Sequence, residues 1–154
     1  MTSVDGSSGT AIRPARRADY EAIVALLRDA GLPLAGVEEH LETFLVAEDR
    51  GGIAGAAGLE IYGDVALLRS VAVAAPRRGR GLGQALVAAA VTEARRRGVR
   101  ELALLTTGAA RFFARLGFHQ VARERLDRRL FASAELGDEC CASAVAMRRR
   151  LGTP

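Results

Sequence analysis

The chain has 154 residues, of which 49% are hydrophobic and 26% charged, with a formal net charge of +4. This length fits a single domain that can bury about two-thirds of its unfolded surface, and the composition excludes a largely disordered chain. No stretch approaches the ~20 apolar residues of a membrane span. The opening MTSVDGSSGT has neither the basic nor the apolar region of a secretory signal. A cytoplasmic location without a membrane partner is therefore expected. All 22 basic residues are Arg, and Lys, Asn and Trp are absent. The Arg residues are interspersed with 18 acids rather than clustered with aromatics, so no nucleic-acid partner is expected despite a pI of about 10. Cys140 and Cys141 are adjacent, there is no CxxC pair, and His40 and His119 stand alone. That pattern suits neither a structural disulfide nor a four-ligand metal site, and no metal is expected.

Residues 1–9 are rich in Gly and Ser and read as a disordered leader, with one domain over 10–151. A short strand over 10–13 stops at Pro14. Tyr20, Ile23, Val24, Leu27 and Ala30 recur at helical spacing, which predicts a helix over 18–30 ended by Gly31. A loop containing Pro33 leads to a short helix over 37–42. Strands are predicted over 44–47, 52–61 and 65–73, the last two joined by a turn at Gly63-Asp64. The segment 65–73 is an almost unbroken apolar run, as in a strand buried on both faces. An Ala-rich helix over 82–97 ends at Gly98. A buried strand over 102–105, a helix over 109–116, a strand over 118–123, a helical segment over 127–134 and a closing strand over 142–149 follow. Strands alternating with crossover helices define an α/β layered domain.

Arg78-Gly79-Arg80-Gly81-Leu82-Gly83 follows the buried strand and opens the Ala-rich helix. The first N–H groups of a helix have no internal partner and the dipole is positive there, so the position suits an anion. Glycines let the backbone approach a pyrophosphate, and Arg77, Arg78 and Arg80 add charge. The plainer alternative is a Gly-rich turn with an exposed basic cluster. There is no Gly-Lys-Ser/Thr of a Walker loop, and the glycines lie mid-chain with the wrong spacing for a dinucleotide fingerprint.

This pattern resembles the GNAT superfamily of acetyl-CoA-dependent N-acetyltransferases, whose motif is Arg/Gln-x-x-Gly-x-Gly/Ala between a strand and a helix. Arg78, Gly81 and Gly83 match it. Leu68-Arg69-Ser70-Val71-Ala72-Val73 is similar to the strand before that motif, and Phe112 to Phe118 to the later helix and its Gly-Phe end. The resemblance covers about residues 10–151. It implies the GNAT fold, a mixed and mostly antiparallel twisted sheet of six to seven strands flanked by about four helices. It also implies acetyl-CoA as cosubstrate and a small-molecule amine as acceptor. Dimers are common in the superfamily, so a homodimer is one expectation.

By this resemblance, Val71 and Val73 meet the pantetheine arm through backbone groups, and Arg78, Gly79, Arg80, Gly81, Leu82 and Gly83 hold the pyrophosphate. Strands 65–73 and 102–105 splay around the thioester, whose carbonyl is polarised by an amide near Val71. An amine must be neutral to attack, so a general base helps. Glu60 is the candidate base, the alternative being an exposed charge beside a turn. Arg69 could grip an acceptor carboxylate bidentately beside Ser70, the alternative being a strand-edge Arg in solvent. Many relatives carry a Tyr that protonates the leaving thiolate where this chain has Phe113. Either Thr106 or Thr107 orders a water there, or the thiolate leaves unassisted. Thr106 and Thr107 complete the expected substrate-binding set.

A narrower resemblance rests on Gly58-Leu59-Glu60, Thr106-Thr107, Phe112-Phe113 and the terminal Ala142 to Val145. It points to N-acetyltransferases of arsenic-resistance operons and to the acetyltransferase domain of N-acetylglutamate synthases. The former carry Cys-Pro where this chain has Cys140-Cys141. Both relatives acetylate the α-amine of an amino acid or a close analogue, and direct attack on acetyl-CoA is expected. Vicinal thiols could bind trivalent arsenic; two neutral, partly buried Cys are the alternative. A non-catalytic GNAT-fold module that senses acetyl-CoA, or an enzyme that acetylates proteins, are the alternative functions.

Overall fold

The computed structural model describes residues 2–3, 9–137 and 143–152. A single mixed sheet runs in the order β1-β2-β3-β4-β5-β6-β8-β7. Its strands are β1 (Thr2–Ser3), β2 (Ala11–Pro14), β3 (Phe44–Asp49), β4 (Gly52–Tyr62), β5 (Val65–Val73), β6 (Glu101–Thr106), β7 (His119–Val121) and β8 (Val145–Arg150). Among the described residues, only β5 and β6 pair in parallel, and the other pairings are antiparallel. The sheet has one strand more than the sequence suggests, because Thr2 and Ser3 pair with Ile12 and Ala11.

Two long helices cover opposite faces. Helix α1 (Tyr20–Ala30) places Ile23, Leu26 and Leu27 against Phe44, Val46, Ala56 and Ala72. Its turn to the next loop uses Gly31 in the left-handed conformation, at φ 69°. Helix α2 (Leu82–Arg96) packs Leu86, Val87 and Ala90 on Ala57, Leu59, Ala66 and Leu68. Short helix α3 (Ala110–Arg115) adds Phe113 to that same core. A third cluster joins Val65, Leu67 and Ala103 to Leu126, Leu130 and Leu136, the last on α4 (Ala134–Gly137).

Two expected helices differ from the structure. Residues 37–42 form turns that end in a 3₁₀ turn at Leu41–Thr43. Val37 and Leu41 do point inward, but Thr43 Oγ1 donates to the His40 carbonyl (3.1 Å), which closes the segment before a helix extends. Residues 127–134 divide into a 3₁₀ turn at Arg128–Ala132 and then α4, because Ser133 is extended (φ −67°, ψ 139°). Cys140, Cys141 and the expected start of the last strand at residue 142 lie outside the described residues.

Strand β5 changes its facing partway. Ala66 and Leu68 pack toward α2, whereas beyond Arg69 it is Val71 and Val73 that do so, and Ala72 faces α1. The parity switches at Ser70, whose φ is +60°, where the pairing with β4 shifts between Ala56/Ala72 and Gly58/Arg69. A left-handed Ser costs roughly 1–2 kcal/mol. The bulge bends β5 where it parts from β6: their pairing ends at Leu67↔Ala103, although β5 continues to Val73 and β6 to Thr106.

Candidate active site

The gap between the two strands is the mouth of a cavity of about 710 Å³. Leu68 to Val73 form one wall and Leu104 to Ala109 the other. Arg77, Arg78, Gly79 and Gly81 to Gln84 close one end; Leu32, Pro33, Glu135 and Ala144 close the other. The expected site residues Arg69, Ser70, Val71, Val73, Arg78, Gly79, Gly81, Leu82, Gly83, Thr106 and Thr107 all lie on this surface.

At the loop end, Gly81 is the N-cap of α2, left-handed at φ 81° and ψ 7°. The first helical bond runs from Ala85 N–H to Gly81 O (3.0 Å), so the amides of Leu82, Gly83 and Gln84 have no intrahelical partner, and no side chain caps them. A Cβ built on Gly81 meets nothing within 4 Å. The amides therefore open onto unfilled space at the positive end of a long helix, an anion cradle. The surrounding arginines are less available than their number suggests. Arg77 is engaged by Asp49 through Nε (2.8 Å) and Nη2 (2.6 Å). Arg78 Nε donates to the Val73 carbonyl (3.0 Å), so that carbonyl already has a partner. Arg80 is exposed and is not on the cavity wall.

The opposite end is polar and buried. Glu60 is fully buried and faces Arg69: Arg69 Nη1 donates to Glu60 Oε2 at 2.7 Å. Tyr62 Oη donates to Glu60 Oε1 at 2.5 Å, and His40 Nε2 stands 3.6 Å from the same oxygen. Burial alone would raise the Glu60 pKa, but the hydrogen bonds of Tyr62, Arg69 and Ser133 and the nearby His40 outweigh it and hold the carboxyl below its ordinary value. Glu60 is not on the cavity wall. Expected as a general base, it is instead the buried, ionised partner of Arg69.

Arg69 is also more constrained than the sequence suggests. Nη1 donates to the Ala35 carbonyl (2.6 Å) as well as to Glu60, Nη2 to the Pro33 carbonyl (3.1 Å), and Nε to Ser70 Oγ (3.0 Å). One Nη2 N–H remains without a partner among the described residues, so the expected bidentate grip on a carboxylate is not open to it. It is no solvent-exposed strand-edge Arg either: its side chain is completely buried. Arg69 ties the loop after α1 to β5, and its charge lies buried behind the cavity wall. Sequence reasoning missed the two carbonyls, since no side-chain pattern reports them. It also missed Glu135, which reaches the wall from α4.

Where relatives carry a Tyr, Phe113 lies on the wall, edge-on to Phe112 (5.0 Å) and Phe118 (5.8 Å). Thr106 Oγ1 accepts the Ala109 N–H (3.0 Å), which leaves its hydroxyl hydrogen for the cavity. Among the described residues, no cluster of His, Cys, Asp or Glu could hold a metal ion. No helix there is long and apolar enough to cross a membrane.

Comparison with known proteins agrees with this geometry. Residues 40–120 match the acetyltransferase (GNAT) domain family, to which the chain belongs. It is an acetyl-CoA-dependent N-acetyltransferase. An uncharacterized N-acetyltransferase of Chlorobaculum tepidum is 29% identical over 133 residues, covering 81% of this chain and 85% of that one. An amino-acid acetyltransferase of Neisseria meningitidis is 28% identical over 81% of this chain but only 31% of its own length. Among solved structures, N-acetylglutamate synthase of Neisseria gonorrhoeae, complexed with coenzyme A and N-acetyl-glutamate, superposes with a TM-score of 0.81. The identity is 25%, over 95% of this chain and 36% of that one. A Mycobacterium tuberculosis protein in complex with CoA gives a TM-score of 0.77 at 26% identity, over 91% and 98% of the two chains. The chain thus spans about a third of the Neisseria proteins it resembles.

The residues present fit acetyl-CoA. The unpartnered α2 amides suit its pyrophosphate, and the β5 stretch left by β6 suits an extended arm.

Proposed function

We propose that this chain acetylates the α-amine of an amino acid or a close amino-acid analogue by direct attack on acetyl-CoA. One observation carries the reading: a single cavity joins the amide cradle at Gly81–Gln84 to a polar end made by Arg69, Ser70, Glu135, Thr106 and Thr107. The names of the Neisseria relatives support an amino acid as acceptor.

When bound, acetyl-CoA supplies an activated acyl carbon, so the protein's task is mainly alignment. The amides of Leu82, Gly83 and Gln84 hold the anionic end, with Arg78 alongside. The amide of Val71, a cavity-wall residue beyond the bulge, takes the oxyanion-stabilising role. The hydroxyls of Ser70, Thr106 and Thr107 hold and orient the acceptor carboxylate, with the buried charge of Arg69 behind them. Glu60 keeps Arg69 oriented and compensates its charge.

A thiol-release assay over amino acids, their decarboxylated amines, and phosphorus- and arsenic-containing amino-acid analogues tests this. Amino acids are expected to react at least tenfold faster in kcat/KM than the matching amines. Turnover of an arsenic-containing analogue above the natural amino acids would assign the chain to detoxification. Equal rates with and without the carboxylate would overturn the acceptor class. Acetyl-CoA binding without any thiol release would make the chain a sensor.

A further inference from the structure

At the polar end of the cavity, among the described residues, one titratable side chain comes from outside the sheet. Glu135 lies on α4, with its backbone N–H bonded to Ser133 Oγ (3.1 Å). The residue is 5% exposed and forms part of the cavity wall beside Arg69 and Ser70. Its Oε2 is 3.3 Å from Arg69 Nε, but that nitrogen already donates to Ser70 Oγ at 3.0 Å. The contact is mainly coulombic and leaves the carboxylate's accepting capacity facing the cavity. Glu60, on the far side of the same guanidinium, is the reverse case: fully hydrogen-bonded and off the wall.

We propose that Glu135 receives the acceptor's ammonium group and takes its proton. This rests on the acyl-transfer reading above. The proton moves from the ammonium nitrogen to a Glu135 carboxylate oxygen, leaving a neutral amine with a free electron pair and an uncharged carboxyl. As the new N–C bond forms, the C–S bond breaks, sulfur keeps the bonding pair, and the second proton lost from nitrogen balances the thiolate. Glu135 afterwards returns its proton to solvent through the cavity mouth.

The surroundings suit the task. Burial raises the Glu135 pKa, the Arg69 charge lowers it, and the Glu60 charge raises it, with a net upward displacement from 4.5. A carboxylate so displaced is a stronger base nearer neutral pH. Among the described residues, the charged and titratable groups facing it are Arg69 from β5 and Glu60 from β4, with Tyr62 and His40 behind Glu60. The neighbouring wall residues Leu32, Pro33, Leu68 and Ala144 do not titrate.

The test compares wild type with Glu135→Gln, using the fastest-reacting amino acid of the panel. With a carboxylate base, wild-type kcat/KM is level between the pKa of Glu135 and that of the amine. The variant must instead recruit the rare free amine, so its kcat/KM rises tenfold per pH unit. The loss is about 10²-fold or more at pH 6.5 and narrows as the amine pKa is approached. Acetyl-CoA affinity by calorimetry stays within twofold, and formate restores part of the rate of Glu135→Ala. Independently of turnover, carboxyl-carbon NMR of the unliganded protein, assigned by difference with Glu135→Gln, should show Glu135 titrating above the surface glutamates. A Glu135→Gln variant that keeps both the wild-type rate and the level profile overturns the assignment while leaving the acyl-transfer reading intact. So does a Glu135 that titrates with the surface glutamates. A wild type that releases no thiol with any amine overturns both.

Discussion

Two glycines two residues apart in the phosphate-facing turn should respond oppositely to the same methyl group. Gly81 is left-handed, at φ 81°, a conformation that costs an L-residue about 1–2 kcal/mol. Its Cβ would meet nothing, so this backbone term is the whole cost to the unliganded fold. Gly83 has an ordinary helical backbone, and its Cβ would sit 3.5 Å from Phe112 Cζ and 3.7 Å from Val73 Cγ2, normal contact distances. Replacing a helical Gly by Ala without a clash gains roughly 0.5–1 kcal/mol. At about 2–4 °C per kcal/mol for a chain of this size, Gly83→Ala should melt about 1–4 °C higher and Gly81→Ala about 2–8 °C lower. Affinity follows the same division. Ala at position 83 leaves the amides in place, and the Kd for acetyl-CoA stays within twofold. Ala at 81 relaxes the cap toward a backbone that turns the Leu82 and Gly83 amides away, a loss of about tenfold or more, equal to about 1.4 kcal/mol. Scanning calorimetry and isothermal titration read the two quantities separately. A Gly81→Ala protein that melts with wild type and binds acetyl-CoA as tightly would refute the cradle.

Three further outcomes follow from the buried charges. Arg69→Lys keeps the charge but cannot span Pro33, Ala35 and Glu60 together, so the acceptor's KM should rise about tenfold with acetyl-CoA affinity unchanged; a shift in both would place Arg69 at the cosubstrate. Asp19 is bonded to the Arg13 guanidinium at 2.8 and 2.9 Å and accepts the Arg16 N–H. Asp19→Asn should cost about 3 kcal/mol in urea unfolding at pH 7. Hydrogen bonding to Arg13 lowers the Asp19 pKa, so this stabilisation is present above its unfolded pKa of about 4 and is lost as the pH falls through the folded value. A deficit that persists undiminished at pH 2 would show that the charge is not its source. For Glu135 the sign is opposite: its pKa is raised, so its ionisation weakens the fold above the unfolded value of about 4.3. Glu135→Gln should therefore melt above wild type at pH 7 and together with it near pH 4; a variant less stable at pH 7 would make Glu135 a structural ion-pair partner.

Much of the scaffold could be read directly from residue order. The helix that opens at Leu82 and the strand over Val65–Val73 appear where periodicity and the apolar run put them, because local pattern and tertiary burial agree there. The segments 37–42 and 127–134 were harder. Their apolar spacing is helical, but Thr43 and Ser133 redirect the backbone through hydrogen bonds and φ/ψ choices that periodicity does not encode. At the site, the Arg-Gly turn was legible because its function lies in the backbone that glycines permit. Arg69 and Glu60 were visible as charges on strands, yet their pairing depends on register: Gly58 opposes Arg69, and Glu60 opposes Leu67. Glu135 had no such signal. It lies far along the chain on a four-residue helix, and only the fold brings it beside Arg69.

The parting of β5 from β6 leaves a run of main chain unfinished in the interior of a sheet rather than at its rim. A rim can be completed by any neighbouring strand, which is how folded proteins come to aggregate. Here the flanking strands are already in place, and the space between them belongs to the cavity. A ligand lying along β5 beyond Leu67 would take the place that a paired strand holds elsewhere in the sheet. Any molecule that fills the gap only in the native state stabilises that state by about 2.7 kcal/mol at a hundredfold excess over its Kd. For a marginally stable domain this is a large share of the total, and resistance to proteolysis should rise and fall with the supply of the acyl donor.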